Sequence, residues 1–179
     1  MNILVTGASR GIGKAIAALL KNSHNVYASA RNEDALRAMN LAGYCLCDLS
    51  NSKELESLGE YIKSNKIDVL VNNAGEYIYS PIDETKEQEL EHIINVNLKA
   101  PIYLTNCAVP YMKEKRFGRI INIGSISGVM GEAYASLYSA TKAGLIGFSK
   151  ATGLELAQYN ILVLLMWIFL GFWRNPRCR

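Results

Sequence analysis

Short apolar runs rich in β-branched residues alternate with stretches of helical period from residue 2 to about residue 160, and this alternation limits the fold more than any other feature. The strand-like runs are Asn2–Thr6, Asn25–Ala30, 43–47, 67–72 and 119–123. A helix is expected at about 11–21, with Ile12, Ala15, Ile16, Leu19 and Leu20 on one apolar face, and a short one at 32–39. The next, capped by Ser50 or Ser52, runs to about Ser64 with Leu55, Leu58, Tyr61 and Ile62 inward. Others follow at about 85–99, 101–115 and 137–158. Parallel strands need crossovers of helical length, and such crossovers stack helices on both faces of one sheet. The pattern predicts a single α/β domain, a doubly wound parallel sheet in three α/β/α layers, and 179 residues are enough to bury its core.

Composition narrows the partners. Half of the residues are hydrophobic and 20% are charged, a globular balance. The net charge of +3 comes from Arg174, Arg177 and Arg179 in a tail without acidic residues, which leaves residues 1–160 neutral. A nucleic acid or an anionic membrane surface would want a basic face, so neither is expected as a partner. Cys45 and Cys47 share one face of a strand-like run while Cys107 and Cys178 stand alone, a pattern of buried reduced thiols and not of a metal or disulfide framework. The chain opens directly on a strand-like run without a leader pattern, and a cytoplasmic location is expected. The apolar run from Ile161 to Trp173 is shorter than the roughly 20 residues of a membrane span.

Two motifs carry chemistry. Ser125 falls at the carboxyl end of the run 119–123, the edge of an open α/β sheet at which ligands bind. Loop-like residues rich in Gly and Ser follow, and a helix from about Leu137 sets Tyr138 and Lys142 one turn apart on one face. A free phenol titrates near pH ~10, and an adjacent ammonium favours the phenolate and draws that value down. With a serine hydroxyl to hold a substrate oxygen, Ser125, Tyr138 and Lys142 form a set suited to acid–base chemistry on a carbonyl or an alcohol. The second motif joins the first strand to the first helix. In Thr6-Gly7-Ala8-Ser9-Arg10-Gly11-Ile12-Gly13 the glycines, spaced G-x-x-x-G-x-G, let backbone N–H groups approach a pyrophosphate at the helix's positive end.

With these motifs and the run Asn72-Asn73-Ala74-Gly75 in this order, the chain resembles the short-chain dehydrogenase/reductase family, and within it the single-domain 3-oxoacyl-(acyl-carrier-protein) reductases, over residues 1 to about 161. The resemblance implies a Rossmann-like NAD(P)-binding domain. It makes Tyr138 the catalytic acid/base, Lys142 the group that lowers its pKa and holds the nicotinamide ribose, and Ser125 the group that orients the substrate carbonyl. Asn97, in Asn95-Val96-Asn97-Leu98, would hold a helix open for a proton-relay water. The implied cofactor contacts are Gly7, Ser9, Arg10, Gly11, Ile12 and Gly13, then Arg31, Asp48 toward the adenine amino group with Leu49, then Asn73, Ala74 and Gly75, together with Tyr138 and Lys142. No metal is implied.

Charge bears on the choice of cofactor. NAD-selective sites end the second strand on a carboxylate, which would repel a 2′-phosphate. Ala30 holds that position, Arg31 follows it, and Arg10 lies in the glycine turn, so NADP(H) is favoured over NAD(H). By the same resemblance, Arg116 and Arg119 form part of a basic patch near the active-site rim for an acidic carrier protein, although Tyr159 stands where a second basic residue is usual. The segments Glu132-Ala133-Tyr134 and Glu76-Tyr77-Ile78-Tyr79 would shape the substrate pocket. A homo-oligomer through the helices near 101–115 and 137–158 is implied as well.

Beyond Ile161 the resemblance fails. Family members continue through a sixth strand to a Pro-Gly turn, a substrate-covering helix and a seventh strand, whereas here residues 162–179 form a hydrophobic and then basic tail. Either a hydrophobic sixth strand with an abnormal tail or a truncated or frame-shifted end is expected here. Read from the third base of each codon, the stretch Met166 to Cys178 permits Val-Asp-Phe-Pro-Gly-Phe-Leu-Glu-Lys-Pro-Gln-Met, which restores a Pro-Gly. Without a seventh strand, the edge of the sixth and the aromatic residues Trp167, Phe169, Phe172 and Trp173 would favour aggregation, and turnover would be weak or absent. Two functions are therefore expected: an NADPH-dependent reductase of a carbonyl such as a 3-oxoacyl thioester, or a truncated non-catalytic chain that binds nucleotide or associates with a full-length subunit.

Overall fold

The computed structural model describes residues 1–168, and the tail residues Phe169, Phe172, Trp173, Arg174, Arg177, Cys178 and Arg179 lie outside the described residues. Among those described, six strands form one parallel sheet: β1 (Asn2–Thr6), β2 (Asn25–Ala30), β3 (Gly43–Leu46), β4 (Val69–Asn72), β5 (Gly118–Ser125) and β6 (Ile161–Ile168). Their spatial order is β3-β2-β1-β4-β5-β6. The chain first builds outward from β1 and then returns to its other side, so the winding reverses between β1 and β4 and leaves a crevice at their carboxyl ends.

Helices cover both faces, which is why the strands read as unbroken apolar runs. On one face Leu4, Leu70 and Ile120 pack against Leu55, Leu58 and Ile62 of α3 (Ser52–Ser64) and Leu104, Cys107 and Met112 of α5 (Ala100–Lys115). On the other, Ile3, Val5, Val26, Val69 and Val71 meet Ala17 of α1 (Gly11–Leu20) and Leu36 of α2 (Glu33–Arg37). Each fully buried Leu or Ile among them contributes about 1.5–3 kcal/mol relative to exposure. The amino edge of the sheet is fastened by buried Asp68, which accepts from the Asn2 N–H at 2.8 Å and pairs with Lys115.

Several local expectations are corrected. The inward face of α1 is Gly13 and Ala17 with Ile16 and Leu20 packed beside them as expected, while Ile12 and Leu19 are 44% and 75% exposed and Ala15 is exposed too. The cause is close approach: a Cβ on Gly13 would lie 2.5 Å from the Gly7 carbonyl oxygen, so the helix turns its smallest residues to the sheet. The cap of α3 is Asn51, whose side chain accepts from the N–H groups of Lys53 and Glu54, and not Ser50 or Ser52. The segment after Ser125 is not all loop, since α6 (Ser127–Met130) forms there before α7 (Ser136–Leu156). Residues 87–115 make one continuous helical path: α4 (Glu87–Ile94), a π-helical turn (Asn95–Lys99) and α5. Cys45 is only half-buried; Cys47 is buried, and that burial pushes its thiol up to about 12, an unreactive state.

β6 pairs with β5 along its whole length, Ile161 opposite Gly118 and Ile168 opposite Ser125. Its alternate residues Leu162, Leu164 and Met166 are about half exposed, as is Trp167.

Candidate active site

The crevice between β1 and β4 opens as a cleft of about 460 Å³, and every residue of the expected cofactor set from Gly7 to Gly75 lines it: Gly7, Ser9, Arg10, Gly11, Ile12, Gly13, Arg31, Asp48, Leu49, Asn73, Ala74 and Gly75. The glycine turn has the geometry of a phosphate cradle. Gly7 (φ +65°) and Gly11 (φ +54°) take left-handed backbone conformations, and a Cβ on Gly7 would come within 2.9 Å of the Ala74 Cα. The turn leads into the N-terminus of α1, where backbone N–H groups lack helical partners. Asn73 fixes the turn from the opposite strand: its Nδ2 donates to the Thr6 carbonyl at 2.8 Å, while the Thr6 hydroxyl oxygen accepts from the N–H groups of Asn73 and Ala74 at 3.1 Å each.

Ala30 ends β2 without a carboxylate. The Arg31 guanidinium lies across the cleft mouth, with Nη1 at 3.2 Å from Glu76 Oε1 and 3.9 Å from Asp48 Oδ2. Asp48 also serves the local turn, accepting from the Ser50 N–H at 2.9 Å and the Ser50 hydroxyl at 2.7 Å. Burial raises its carboxyl pKa, but those two bonds and Arg31 outweigh burial and hold it below the usual value.

At the carboxyl end of β5, buried Ser125 and Lys142 meet half-buried Tyr138. The phenol is not drawn down as the spacing predicts. Burial pushes Tyr138 above the ordinary phenol value, the Glu132 carboxylate adds to the rise, and only the Ser125 hydroxyl pulls the other way. Lys142 points its Nζ at the Ile123 carbonyl, 2.8 Å away and 5.7 Å from the Tyr138 ring centre, and burial brings its own pKa down to about 8. Buried Asn97 lies in the π-helical turn, with Nδ2 donating to the Glu76 carbonyl at 2.8 Å and Oδ1 accepting from the Glu76 N–H at 2.8 Å. Gly75 joins the two ends of the site, because a Cβ there would lie 3.4 Å from Asn97 Oδ1 and 3.5 Å from Lys142 Nζ.

The segments expected to shape the pocket, 132–134 and 76–79, do meet at the site, and Ser127 joins them although no motif singles it out. The Glu132 carboxylate accepts from Ser127 Oγ at 2.7 Å and from the Tyr77 hydroxyl at 2.8 Å, and Ser127 Oγ is 3.2 Å from Ser125 Oγ. Tyr77 stands edge-on to Tyr138 with ring centres 4.9 Å apart, and Tyr79 and Tyr134 continue this aromatic rim. Beneath the site Asn72 Nδ2 donates to Asn122 Oδ1 and Asn122 Nδ2 to Ser149 Oγ, each at 2.8 Å, a buried chain linking β4, β5 and α7. Such pairs across adjacent strands are visible only once strand register is known. Arg116 and Arg119 lie elsewhere than expected. They flank the start of β5, about 20 Å of strand from Ser125, and both bond to carbonyls of the turn before β6.

Comparison with known proteins agrees with this geometry. A family model described as short chain dehydrogenase matches residues 1–171. The chain is 41% identical over 166 residues to the 3-oxoacyl-[acyl-carrier-protein] reductase FabG of Rickettsia prowazekii (strain Madrid E), covering 89% of this chain and 68% of that one. It is 36% identical to a 3-ketodihydrosphingosine reductase of Bacteroides thetaiotaomicron, covering 92% of this chain and 61% of the relative. A crystal structure of a metagenomic short-chain oxidoreductase in complex with NADP superposes with a TM-score of 0.87 at 36% identity, covering 93% of this chain and 81% of the other. The chain thus spans roughly two thirds of the length of these curated relatives.

Proposed function

Because this chain belongs to the short chain dehydrogenase family, we propose that it reduces a carbonyl to an alcohol with NADPH, through Tyr138, Lys142, Ser125 and Asn97. The observation that carries the proposal is the convergence of these four side chains at the sheet edge where the cleft of the glycine turn ends. When bound, the nicotinamide cofactor supplies the hydride that the carbonyl carbon receives. The rest of the chemistry belongs to the chain. Ser125 donates to the carbonyl oxygen and fixes it beside the phenol. Tyr138 gives up its proton to that oxygen as the alcohol forms, and its raised pKa keeps it protonated beforehand. The Lys142 cation stabilises the resulting phenolate, Asn97 holds the Glu76 backbone beside the site, and solvent returns the proton.

The glycine cradle, Ala30 at the end of β2 and the basic pair Arg10 and Arg31 support NADPH over NADH. The structural relative bound to NADP points the same way. For substrate, the likeness to FabG favours a 3-oxoacyl thioester, with the Tyr77, Tyr79 and Tyr134 rim as its apolar wall. Pairing of two copies would use α5 and α7, the helices near 101–115 and 137–158, with exposed Ile102 on the first of them.

The test is a titration of the protein with NADPH and NADH, followed by a reductase assay with a 3-oxoacyl thioester. NADPH binding with turnover supports the proposal. Binding without turnover selects the non-catalytic nucleotide-binding alternative, and binding of neither cofactor overturns the reductase reading and leaves only association with a full-length subunit.

A further inference from the structure

Glu76 occupies an unusual place in the cleft: it is held by its backbone to the acid–base end and by its side chain to the cofactor end. Both of its peptide groups bond to Asn97 at 2.8 Å, so its Cα cannot drift. One carboxylate oxygen lies 2.7 Å from His92 Nε2, and the other 3.2 Å from Arg31 Nη1. The carboxylate is 30% exposed, less than the guanidinium at 57%, so its orientation is set by packing more than by the arginine's. Arg31 is also the cation next to Ala30 that the proposed function gives to a 2′-phosphate. One guanidinium therefore answers to two anions.

We propose that Glu76 is a specificity-determining residue that competes with the cofactor's 2′-phosphate for Arg31 and so narrows the preference for NADPH over NADH. The inference rests on the cofactor reading above. A phosphate arriving at Arg31 must displace the carboxylate or share the guanidinium with it, and in either case it approaches a fixed negative charge. NADH, with plain ribose hydroxyls, meets neither cost. Asp48 exerts the same effect more weakly, being 3.9 Å away with its other oxygen engaged by Ser50.

The experiment measures equilibrium binding of NADPH and NADH by cofactor fluorescence, without substrate, for the wild type, Glu76→Gln, Arg31→Gln and the double variant, with melting temperatures to confirm folding. Glu76→Gln is nearly isosteric. It is expected to tighten NADPH roughly threefold to fivefold, the range of a partly exposed ion pair, and to leave NADH within about twofold. In the Arg31→Gln background the same change should no longer alter the ratio. An unchanged ratio in Glu76→Gln, or an equal gain that persists without Arg31, would overturn the inference. Binding of neither cofactor by the folded wild type would overturn the proposed function, and this inference with it.

Discussion

Asn73 donates through Nδ2 to the Thr6 carbonyl at 2.8 Å, and the Thr6 hydroxyl accepts from the Asn73 backbone at 3.1 Å, so the last residue of β1 and the first after β4 are locked reciprocally. The lock sets the width of the crevice exactly where the glycine turn begins. Asn73→Ala removes the side-chain half of it and is expected to cost about 1–2 kcal/mol of stability in urea unfolding. NADPH affinity should fall by about tenfold, equivalent to about 1.4 kcal/mol. Unchanged affinity at lower stability would confine Asn73 to holding the fold.

Gly13 admits no side chain. A Cβ there would lie 2.4 Å from Asn73 Nδ2 and 2.5 Å from the Gly7 carbonyl oxygen, and the second is backbone that cannot swing away. Gly13→Ala is expected to lose about 1–3 kcal/mol of stability and most of its nucleotide binding. Gly147→Ala, a helical position with open space around the added methyl, is the control in the same melting experiment and is expected to gain about 0.5–1 kcal/mol.

The buried chain from Asn72 through Asn122 to Ser149 has no slack. Asn122→Leu would leave the Asn72 amide and the Ser149 hydroxyl facing an apolar side chain. A loss of about 2–4 kcal/mol in chemical denaturation is expected, more than for a surface Asn. Loss within 0.5 kcal/mol would mean that water replaces the amide.

Lys142 makes stability depend on pH with a definite sign. Burial lowers its pKa from 10.5 to about 8 in the folded state, so between those values the unfolded chain binds more protons and stability rises with pH. Below about pH 8 the full penalty of burying the cation applies, up to about 3 kcal/mol. The stability difference between wild type and Lys142→Met, measured by urea unfolding from pH 7 to 9.5, should therefore move in favour of the wild type as pH rises. A flat difference would show that Lys142 keeps its ordinary pKa.

Tyr138 supplies the kinetic counterpart. Reduction needs both the protonated phenol and the Lys142 cation, and because Lys142 loses its proton near pH 8 while Tyr138 holds its own longer, the alkaline limb of kcat/KM should begin near pH 8. Glu132→Gln removes a negative charge that contributes to the raised phenol pKa, so the Tyr138 titration, followed by ultraviolet absorbance, should shift to lower pH. Tyr138→Phe should lower kcat by about 10²–10⁴-fold with NADPH binding retained. A Phe variant close to wild-type rate would remove Tyr138 from the chemistry.

The sheet was legible because a strand covered on both faces is a continuous apolar run, and the runs at Asn2–Thr6 and Asn25–Ala30 coincide with β1 and β2 residue for residue. The cleft residues were legible because glycines mark places where backbone must come close. What stayed hidden depends on tertiary contact. The closest approach of α1 to the sheet is set by crowding at Gly13, so Ile12 and Leu19 are left outside while Ile16 and Leu20 still pack inward. The raised pKa of Tyr138 could not be read from the four-residue step to Lys142, because burial and the Ile123 carbonyl decide what that ammonium does. Glu76 and Glu132 were legible only as members of pocket-shaping segments; their pairing with Arg31 and Ser127 depends on the folded chain.

The π-turn at Asn95–Lys99 also acts as a phase shift between two helices that share one path. One surplus residue is absorbed there, and the buried side of α5 begins in the correct rotational setting only after that surplus. A single deletion within the turn would let α geometry run straight through and rotate α5 by about 100°, swinging Leu104, Ala108 and Met112 off the sheet. This stretch should therefore tolerate replacement of its letters far better than any change in their number.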